Sequence, residues 1–297
     1  MQNLSKKSAG YLLALSAAVI FSSKAIVVKL AYQYQADSLS VLVLRMGFAL
    51  PFYVFIEWFR NKSNDSVTTW NNKDIFTMVV MGLLGYYLSS YLDFIGLQYI
   101  TANLERLILF VYPTLTTILS ALILKKKISI NSWLAILICY VGVFVSFYKQ
   151  VHSSPNLVLG AFFVFLSALT YSFFLIGSEK LIPKYGAQKF TSYIMIISCL
   201  WVFVHLIIQT PPKLFQYPNE VYLLGLFLAI FCTVLPTYMI GLAIKNLGAS
   251  TTSILSMAGP VSVIFLSYFL LNESVTIFHI IGTVIVIIGI LLITQKK

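Results

Sequence analysis

The sequence predicts an all-α, polytopic membrane protein with ten transmembrane helices, arranged as two inverted five-helix repeats with both termini in the cytoplasm. Three observations predict this fold: the composition, the lengths of the apolar runs and the placement of the basic residues. Of the 297 residues, 59% are hydrophobic and 10% are charged, and the mean hydropathy is +0.91. Soluble domains carry about 25% charged residues. The composition therefore excludes an ordinary water-soluble protein.

Ten apolar runs are each long enough to cross a bilayer, for which a helix needs about 20 residues. They are 10–32, 39–59, 74–95, 102–124 and 131–148 in the first half, and 157–179, 188–209, 220–243, 249–271 and 277–294 in the second. The breaks between them, such as Lys125–Lys127 and Pro211–Pro212, carry charges or prolines that are typical of helix ends. We therefore predict ten helices joined by short loops.

The basic residues are distributed unevenly between the two sets of loops. With the N-terminus inside the cell, fourteen Lys and Arg side chains fall on the cytoplasmic side, whereas only Lys149 and Lys213 fall on the other. This alternation follows the positive-inside rule and places the chain in the cell (inner) membrane as a multi-pass protein. The formal net charge of +11 is therefore interpreted as a topology signal, and no nucleic acid partner is expected.

The two halves of the chain share a pattern of prolines and glycines. A shift of 147 residues pairs Pro113 with Pro260 and Gly142 with Gly289. Because each predicted half has five helices, an odd number, the halves must cross the membrane in opposite directions. Inverted repeats are typical of secondary transporters, whose substrate sites lie between the halves near the midplane. The predicted domains are 1–150 and 151–297.

A segment around the fourth predicted helix has a second copy around the ninth. The first is Gly96–Leu124, GLQYITANLERLILFVYPTLTTILSALIL, and the second is Gly241–Glu273, which ends in GPVSVIFLSYFLLNE. Together with the helix count and Arg45 near the start of the second helix, these segments resemble the EamA-type members of the drug/metabolite transporter superfamily. The resemblance implies transport of a small molecule through a central cavity, without ATP hydrolysis, cofactor or enzymatic activity.

Six ionisable side chains fall inside predicted membrane helices, all of them in the first half. They are Lys24, Lys29, Arg45, Asp93, Glu105 and Arg106. Inserting such a group costs about 2.5–3.5 kcal/mol, so each is a functional candidate. The surplus of positive charge could bind a carboxylate or phosphate on a substrate, and Lys24 is the deepest of the six. The alternative is a set of ion pairs that holds the first bundle together.

Asp93 and Glu105 are also candidates for proton coupling, since acids in a poorly solvated cavity can bind and release a proton near neutral pH. The alternative is that both are permanently ionised partners of Arg106 or Lys29. The sequence does not separate these two interpretations.

Hydroxyl and aromatic side chains complete the predicted substrate-binding set, which already contains Lys24, Arg45, Asp93 and Glu105. They are Ser22, Tyr86, Ser90, Tyr112, Tyr171, Thr237, Tyr238 and Ser256. For any one hydroxyl, the alternative is a hydrogen bond between packed helices. Pro113 and Pro260 are predicted hinges because proline removes a backbone hydrogen bond. The aliphatic runs 131–148 and 277–294 are interpreted as outer scaffold or as the contact of a homodimer.

These observations predict a secondary transporter that moves a small metabolite, an amino acid or a similar compound, by alternating access. Proton coupling is an open part of this prediction. The alternatives are an intramembrane enzyme that acts on lipid or small-molecule substrates, and a multidrug exporter with the same fold. The expected partners are a small-molecule substrate and the lipid bilayer, and no cofactor or metal is expected because no such motif is present.

Overall fold

The computed structural model describes residues 2–62, 71–147, 156–209, 214–259, 262, 268–269 and 276–294. Every regular element within these residues is helical. The first half contains α1 (Gln2–Ser22), α2 (Lys24–Gln33), α3 (Ser38–Lys62), α4 (Asn72–Gly82), α5 (Ser89–Tyr99), α6 (Ala102–Leu109), α7 (Tyr112–Ile123) and α8 (Ile130–Phe147). The second half contains α9 (Leu157–Tyr185), α10 (Ala187–Ile208), α11 (Asn219–Ala229), α12 (Leu235–Leu247), α13 (Ala249–Leu255) and α14 (Ile277–Thr294).

Within the described residues, six helical segments are long and apolar enough to cross a membrane. They are Lys6–Gln33, Ser38–Arg60, Asn72–Tyr99, Leu157–Tyr185, Ala187–Ile208 and Asn219–Leu247. Three further apolar helices are shorter: Tyr112–Ile123, Ile130–Val145 and Ile280–Leu292. The protein is therefore an all-helical, polytopic membrane protein, as the composition predicts. Much of the predicted run 249–271, including the predicted hinge Pro260, lies outside the described residues.

The first predicted helix is not continuous, because α1 ends at Ser22 and α2 begins at Lys24. The Ser22 hydroxyl donates to the Ala18 carbonyl at 2.6 Å, and the Ser23 hydroxyl donates to the Ile20 carbonyl at 2.7 Å. Serine hydroxyls that bond to the main chain compete with helical hydrogen bonds and bend helices. The break places Lys24 in the first turn of a new helix.

The fourth predicted helix is also broken, between Leu109 at the end of α6 and Tyr112 at the start of α7. Pro113 occupies the first turn of α7. A continuous helix would need a hydrogen bond from the nitrogen of residue 113 to the Leu109 carbonyl, and proline has no N–H to donate. The sequence thus predicts the site of this break, whereas a hinge motion at Pro113 stays a prediction.

Two π-helical segments, Leu83–Leu88 and Ile230–Val234, interrupt long helices at equivalent places in the two halves. Their first residues are separated by the 147-residue shift that aligns the prolines and glycines. In the second segment, the Thr233 hydroxyl donates to the Leu228 carbonyl, five residues earlier, at 2.8 Å. π-Helical segments frequently occur at functional sites. The pattern shows that the two halves share a local backbone distortion.

Helices of the first half pack mainly against helices of the second. The pairs are α1 with α12, α5 with α9, and α8 with α14. At the third of these contacts, Gly142 on α8 lies against the backbone of Gly282 on α14. The small residue lets the two helices approach closely, as is common in membrane bundles.

Gly142→Ala is expected to lower the free energy of unfolding by about 1–3 kcal/mol, the usual range for overpacking. A Cβ atom at Gly142 would lie 2.7 Å from the Gly282 carbonyl oxygen, which is backbone and cannot rotate away. Gly47→Ala is the matched control, because its nearest neighbour would be the Phe203 ring at 3.8 Å. Denaturant unfolding of both variants in detergent measures the difference. Equal stability of the two variants would contradict the close packing of α8 and α14.

Several helix ends meet at one end of the bundle. Lys184 Nζ and the Tyr185 hydroxyl donate to Asp74 Oδ2 at 2.9 and 2.8 Å, which joins the end of α9 to the start of α4. Beside them, Arg60, Lys189 and Lys245 line one surface pocket together with Tyr185. We call this end, marked by Arg60, Lys184, Lys189 and Lys245, the basic end.

Candidate functional site

A central cavity lies among helices of both halves. Its walls come from α1, α2, α5, α6, α7, α9 and α12, together with the first π-helical segment and Ser256. Seven of the twelve predicted substrate-binding residues line it: Ser22, Lys24, Tyr86, Ser90, Tyr112, Tyr171 and Ser256. Arg106 lines it as well. The structure thus brings residues from nine parts of the chain to one space.

The deepest predicted charge, Lys24, forms an ion pair with Asp93. The Lys24 Nζ atom lies 2.5 Å from Asp93 Oδ2, and both side chains are almost fully buried. The same ammonium lies 4.9 Å from the centre of the Phe21 ring and 5.8 Å from that of Phe94, within the range of cation–π attraction. Asp93 does not line the cavity. The pair joins α2 to α5 at the cavity wall, with the cation on the cavity side.

Glu105 and Arg106 form a second pair on α6. Arg106 Nε lies 3.1 Å from Glu105 Oε2, and both side chains are buried. The contact does not have hydrogen-bond geometry, so Arg106 Nε and Nη2 have no hydrogen-bond partner among the described residues. A buried guanidinium nitrogen without an acceptor is costly. Arg106 thus lines the cavity and has donors that its contact with Glu105 leaves without a hydrogen bond, whereas Glu105 does not line the cavity.

The carboxyl groups of Asp93 and Glu105 are close enough for each charge to act on the other. In the described part of the chain, neither Glu105 oxygen nor Asp93 Oδ1 receives a hydrogen bond from a donor group. Two ionised carboxylates can only accept hydrogen bonds, so their charges repel. Protonation of either group would remove this repulsion.

Arg45 is completely buried in α3 and does not line the cavity. Its Nε atom donates to the Thr233 hydroxyl at 2.6 Å, and its Nη1 atom donates to the Ser90 hydroxyl at 3.0 Å. Its Nη2 atom has no hydrogen-bond partner among the described residues. Arg45 thus links α3 to α5 and to the second π-helical segment through hydroxyl groups, directly behind Ser90 of the cavity wall.

Thr237 and Tyr238, which were predicted substrate contacts, lie away from the central cavity. The Thr237 hydroxyl bonds with the Tyr53 hydroxyl at 2.7 Å, and the Tyr238 hydroxyl bonds with that of Ser192 at 2.7 Å. Both contacts join packed helices. For these two residues, the structure favours the alternative of interhelical hydrogen bonding over direct contact with the cavity.

A smaller, apolar pocket lies between the central cavity and the basic end. Thr237 lines this second pocket, and Tyr86 and Ile240 line both spaces. Tyr86 and Ile240 therefore form the partition between them. The sequence singled out Tyr86 but not Ile240, because one isoleucine in an aliphatic helix gives no signal.

Five aromatic rings of the described residues line the cavity. Tyr171 packs edge-to-face against Tyr86 at 6.2 Å and against Tyr112 at 5.3 Å. Phe21 and Phe110 also line the cavity and were not singled out from the sequence. Among the described residues, no three His, Cys, Asp or Glu side chains come together as a metal site would require.

Comparison with known proteins finds relatives that are named as transporters. A protein of Bacillus subtilis named "Uncharacterized transporter YcbK" is 29% identical over 282 residues, which cover 93% of this chain and 89% of that protein. "Uncharacterized transporter YyaM" of the same organism is 27% identical over 223 residues, covering 74% and 73% of the two chains. "Uncharacterized transporter sll1319" of Synechocystis is 22% identical over 312 residues, covering 97% and 94%.

The fold is also found in a solved crystal structure, with a TM-score of 0.78 and 15% sequence identity. The match covers 96% of this chain and 95% of the other, so the whole arrangement of helices is shared. The profile of the EamA-like transporter family matches this chain twice, over residues 8–148 and 158–295. These two matches cover nearly all of the sequence and confirm the resemblance noted from its motifs. The protein is a membrane transporter that belongs to the EamA-like transporter family.

Proposed function

We propose that the protein is a secondary transporter that moves a small carboxylate-bearing metabolite, an amino acid or a similar compound, across the cell membrane. The observation that carries the proposal is the central cavity between the two halves. Lys24, Arg106 and three tyrosines are among the residues that line it. Cavities at the interface of two repeats are the usual substrate sites of such proteins. The membership of the EamA-like family supports a transporter over an intramembrane enzyme.

The proposal includes ten membrane spans, built as inverted repeats of residues 1–150 and 151–297, with both termini in the cytoplasm. Two features of the described residues support it: the π-helical segments 147 residues apart, and the pairing of α1 with α12 and of α5 with α9. The basic end is the cytoplasmic side by the positive-inside rule. A homodimer contact through α8 and α14 stays a prediction.

Alternating access would require the partition at Tyr86 and Ile240 to open. These side chains separate the central cavity from the apolar pocket toward the basic end. Their displacement would connect the two spaces and give the substrate a route to the cytoplasm. The helix breaks at Ser23 and before Pro113 lie beside the cavity and provide points at which α1, α2, α6 and α7 can reorient.

Proton coupling is assigned to the contact between Asp93 and Glu105. The charged groups around it are Lys24 on α2, Arg45 on α3 and Arg106 on α6. A shared proton would remove the repulsion between the carboxyl groups and would add one positive charge next to the cavity. An anionic substrate and a proton would therefore bind cooperatively, since each ligand strengthens the binding of the other.

The proposal predicts that uptake of a labelled carboxylate into proteoliposomes increases when the outside is made acidic. In Glu105→Gln, uptake is expected to continue but to lose most of this response, because the amide cannot bind the shared proton. Glu57→Gln is the matched control, since Glu57 is a buried acid that pairs with Arg60 instead. An unchanged pH response in Glu105→Gln would contradict the assignment of the proton site. Absence of flux for every metabolite class in a folded preparation would contradict the transport function.

A further inference from the structure

We infer that the central cavity selects an organic substrate with a net negative charge and a flat apolar body, bound as a carboxylate by Arg106 and Lys24. The inference names the class of substrate that the proposed transport site binds, and it rests on the proposed transport function. It goes beyond the proposed function because it separates simple carboxylates from zwitterionic amino acids.

The charged residues that line the cavity are both cations. They are Lys24 and Arg106, whereas Asp93 and Glu105 do not contribute to the lining. A carboxylate in the cavity would meet two positive charges. The ammonium of a zwitterion would meet the same two charges and no carboxylate of the described lining, and burying an ammonium without a counter-charge is unfavourable.

Arg106 has the donors that a carboxylate needs. Its Nε and Nη2 atoms are buried without a hydrogen-bond partner among the described residues, and its side chain is 3% exposed. A guanidinium presents parallel N–H groups that match the two oxygens of a carboxylate. A substrate carboxylate beside the guanidinium would accept the hydrogen bonds that the contact with Glu105 does not make.

The charge balance around the cavity points to the same ligand. Lys24, Arg45 and Arg106 carry three positive charges, and Asp93 and Glu105 carry at most two negative ones. All five side chains are at least nine-tenths buried. Even with both acids ionised, one positive charge stays unbalanced in a poorly solvated region. One bound monoanion would neutralise it.

The rest of the cavity favours an aromatic body. The rings of Phe21, Tyr86, Phe110, Tyr112 and Tyr171 line it, and Tyr171 already makes edge-to-face contacts with two of them. A further ring can add to this arrangement by offset or edge-to-face packing. A ligand with an anionic end and a ring could use both the cations and the rings of this lining.

Three probes with the same ring and a similar chain separate the charge classes. 3-Phenylpropanoate is an anion, phenylalanine is a zwitterion and phenethylamine is a cation at neutral pH. We expect the purified full-length protein to bind 3-phenylpropanoate roughly tenfold or more tightly than phenylalanine, and to show no binding of phenethylamine. Isothermal titration in nanodiscs measures the dissociation constants. Equal or tighter binding of phenylalanine or phenethylamine, or no binding of any probe, would overturn the inference.

Arg106→Gln is expected to weaken binding of 3-phenylpropanoate roughly ten- to hundredfold, the range for losing hydrogen bonds to a charged group. Arg60→Gln is the control, because Arg60 lies at the basic end and pairs with Glu57; it should bind with unchanged affinity. Arg106→Lys keeps the charge but not the paired donors, so an intermediate affinity is expected. It also serves as the test variant if Arg106→Gln does not fold. Wild-type affinity in whichever of these Arg106 variants folds would overturn the inference.

The binding experiment tests the substrate class, whereas the transport experiment tests the proposed function, so each claim can be contradicted without the other. Selective binding of the anion without flux in proteoliposomes would support the inference and contradict the proposed transport. Flux of zwitterions or cations that Arg106→Gln leaves unchanged would support transport and overturn the inference.

Discussion

Asp93→Asn is expected to lower the free energy of unfolding by about 3–5 kcal/mol, because it leaves the Lys24 ammonium buried without a counter-charge. The two groups lie 2.5 Å apart, and their side chains are 4% and 1% exposed. Lys24→Met removes the other partner and should be destabilising for the same reason. The double variant, Lys24→Met with Asp93→Asn, removes both charges and should recover most of the lost stability.

A double-mutant cycle measured by unfolding in detergent gives the coupling between the two side chains. The matched control is Lys184→Met with Asp74→Asn, which applies the same changes to an ion pair at the basic end where the lysine is half exposed. Exposed pairs contribute little, so its coupling should be much smaller. Stability of Asp93→Asn equal to that of the wild type would contradict a charged pair at this position.

Arg45→Met, unlike Asp93→Asn, is not expected to lower the free energy of unfolding. Arg45 is fully buried, and its partners among the described residues are the hydroxyls of Thr233 and Ser90. Arg45 has no ion-pair partner among the described residues, so its removal leaves no opposite charge unpaired and relieves the cost of burying a cation. We therefore expect the free energy of unfolding to stay the same or to rise, while the affinity for 3-phenylpropanoate falls because the positive charge behind Ser90 is lost.

Arg45→Lys is the control for this prediction. It keeps the charge but cannot donate to both hydroxyls in the same planar geometry, so it should retain more anion affinity than Arg45→Met. Unfolding measurements with and without 3-phenylpropanoate give both quantities. A large loss of stability in Arg45→Met would contradict a functional role and would favour the alternative in which Arg45 holds the bundle together.

The internal repeat explains why the charges are confined to one side of the cavity. The residues that stand 147 positions after Asp93, Glu105 and Arg106 are Ile240, Thr252 and Ser253. Ile240 lines the cavity, although the acid at the equivalent place in the first half does not. Equivalent positions therefore carry charged side chains in the first half and neutral side chains in the second. The two halves thus differ in charge around the cavity.

The sequence predicts the membrane class, the apolar helices and much of the cavity, because burial and helical spacing are visible in composition and periodicity. The spacing of four between Tyr86 and Ser90 places both on one helix face, and both line the cavity. The break at Ser23 and the π-helical segments were not predicted, since they change the hydrogen-bond register without changing hydropathy. The hydroxyl partners of Arg45 were also beyond prediction, because Thr233 comes from the other half of the chain.

The measurement that tests the central claim most directly is counterflow of a labelled aromatic carboxylate in proteoliposomes. The liposomes are preloaded with the unlabelled compound at neutral pH, where the carboxylate is almost fully ionised and passive diffusion of its neutral form is slow. We predict rapid accumulation of label with the wild-type protein, and accumulation no faster than in protein-free liposomes with Arg106→Gln. Equal exchange in the wild type and in folded Arg106→Gln, or no exchange above protein-free liposomes, would contradict a transport site built on Arg106.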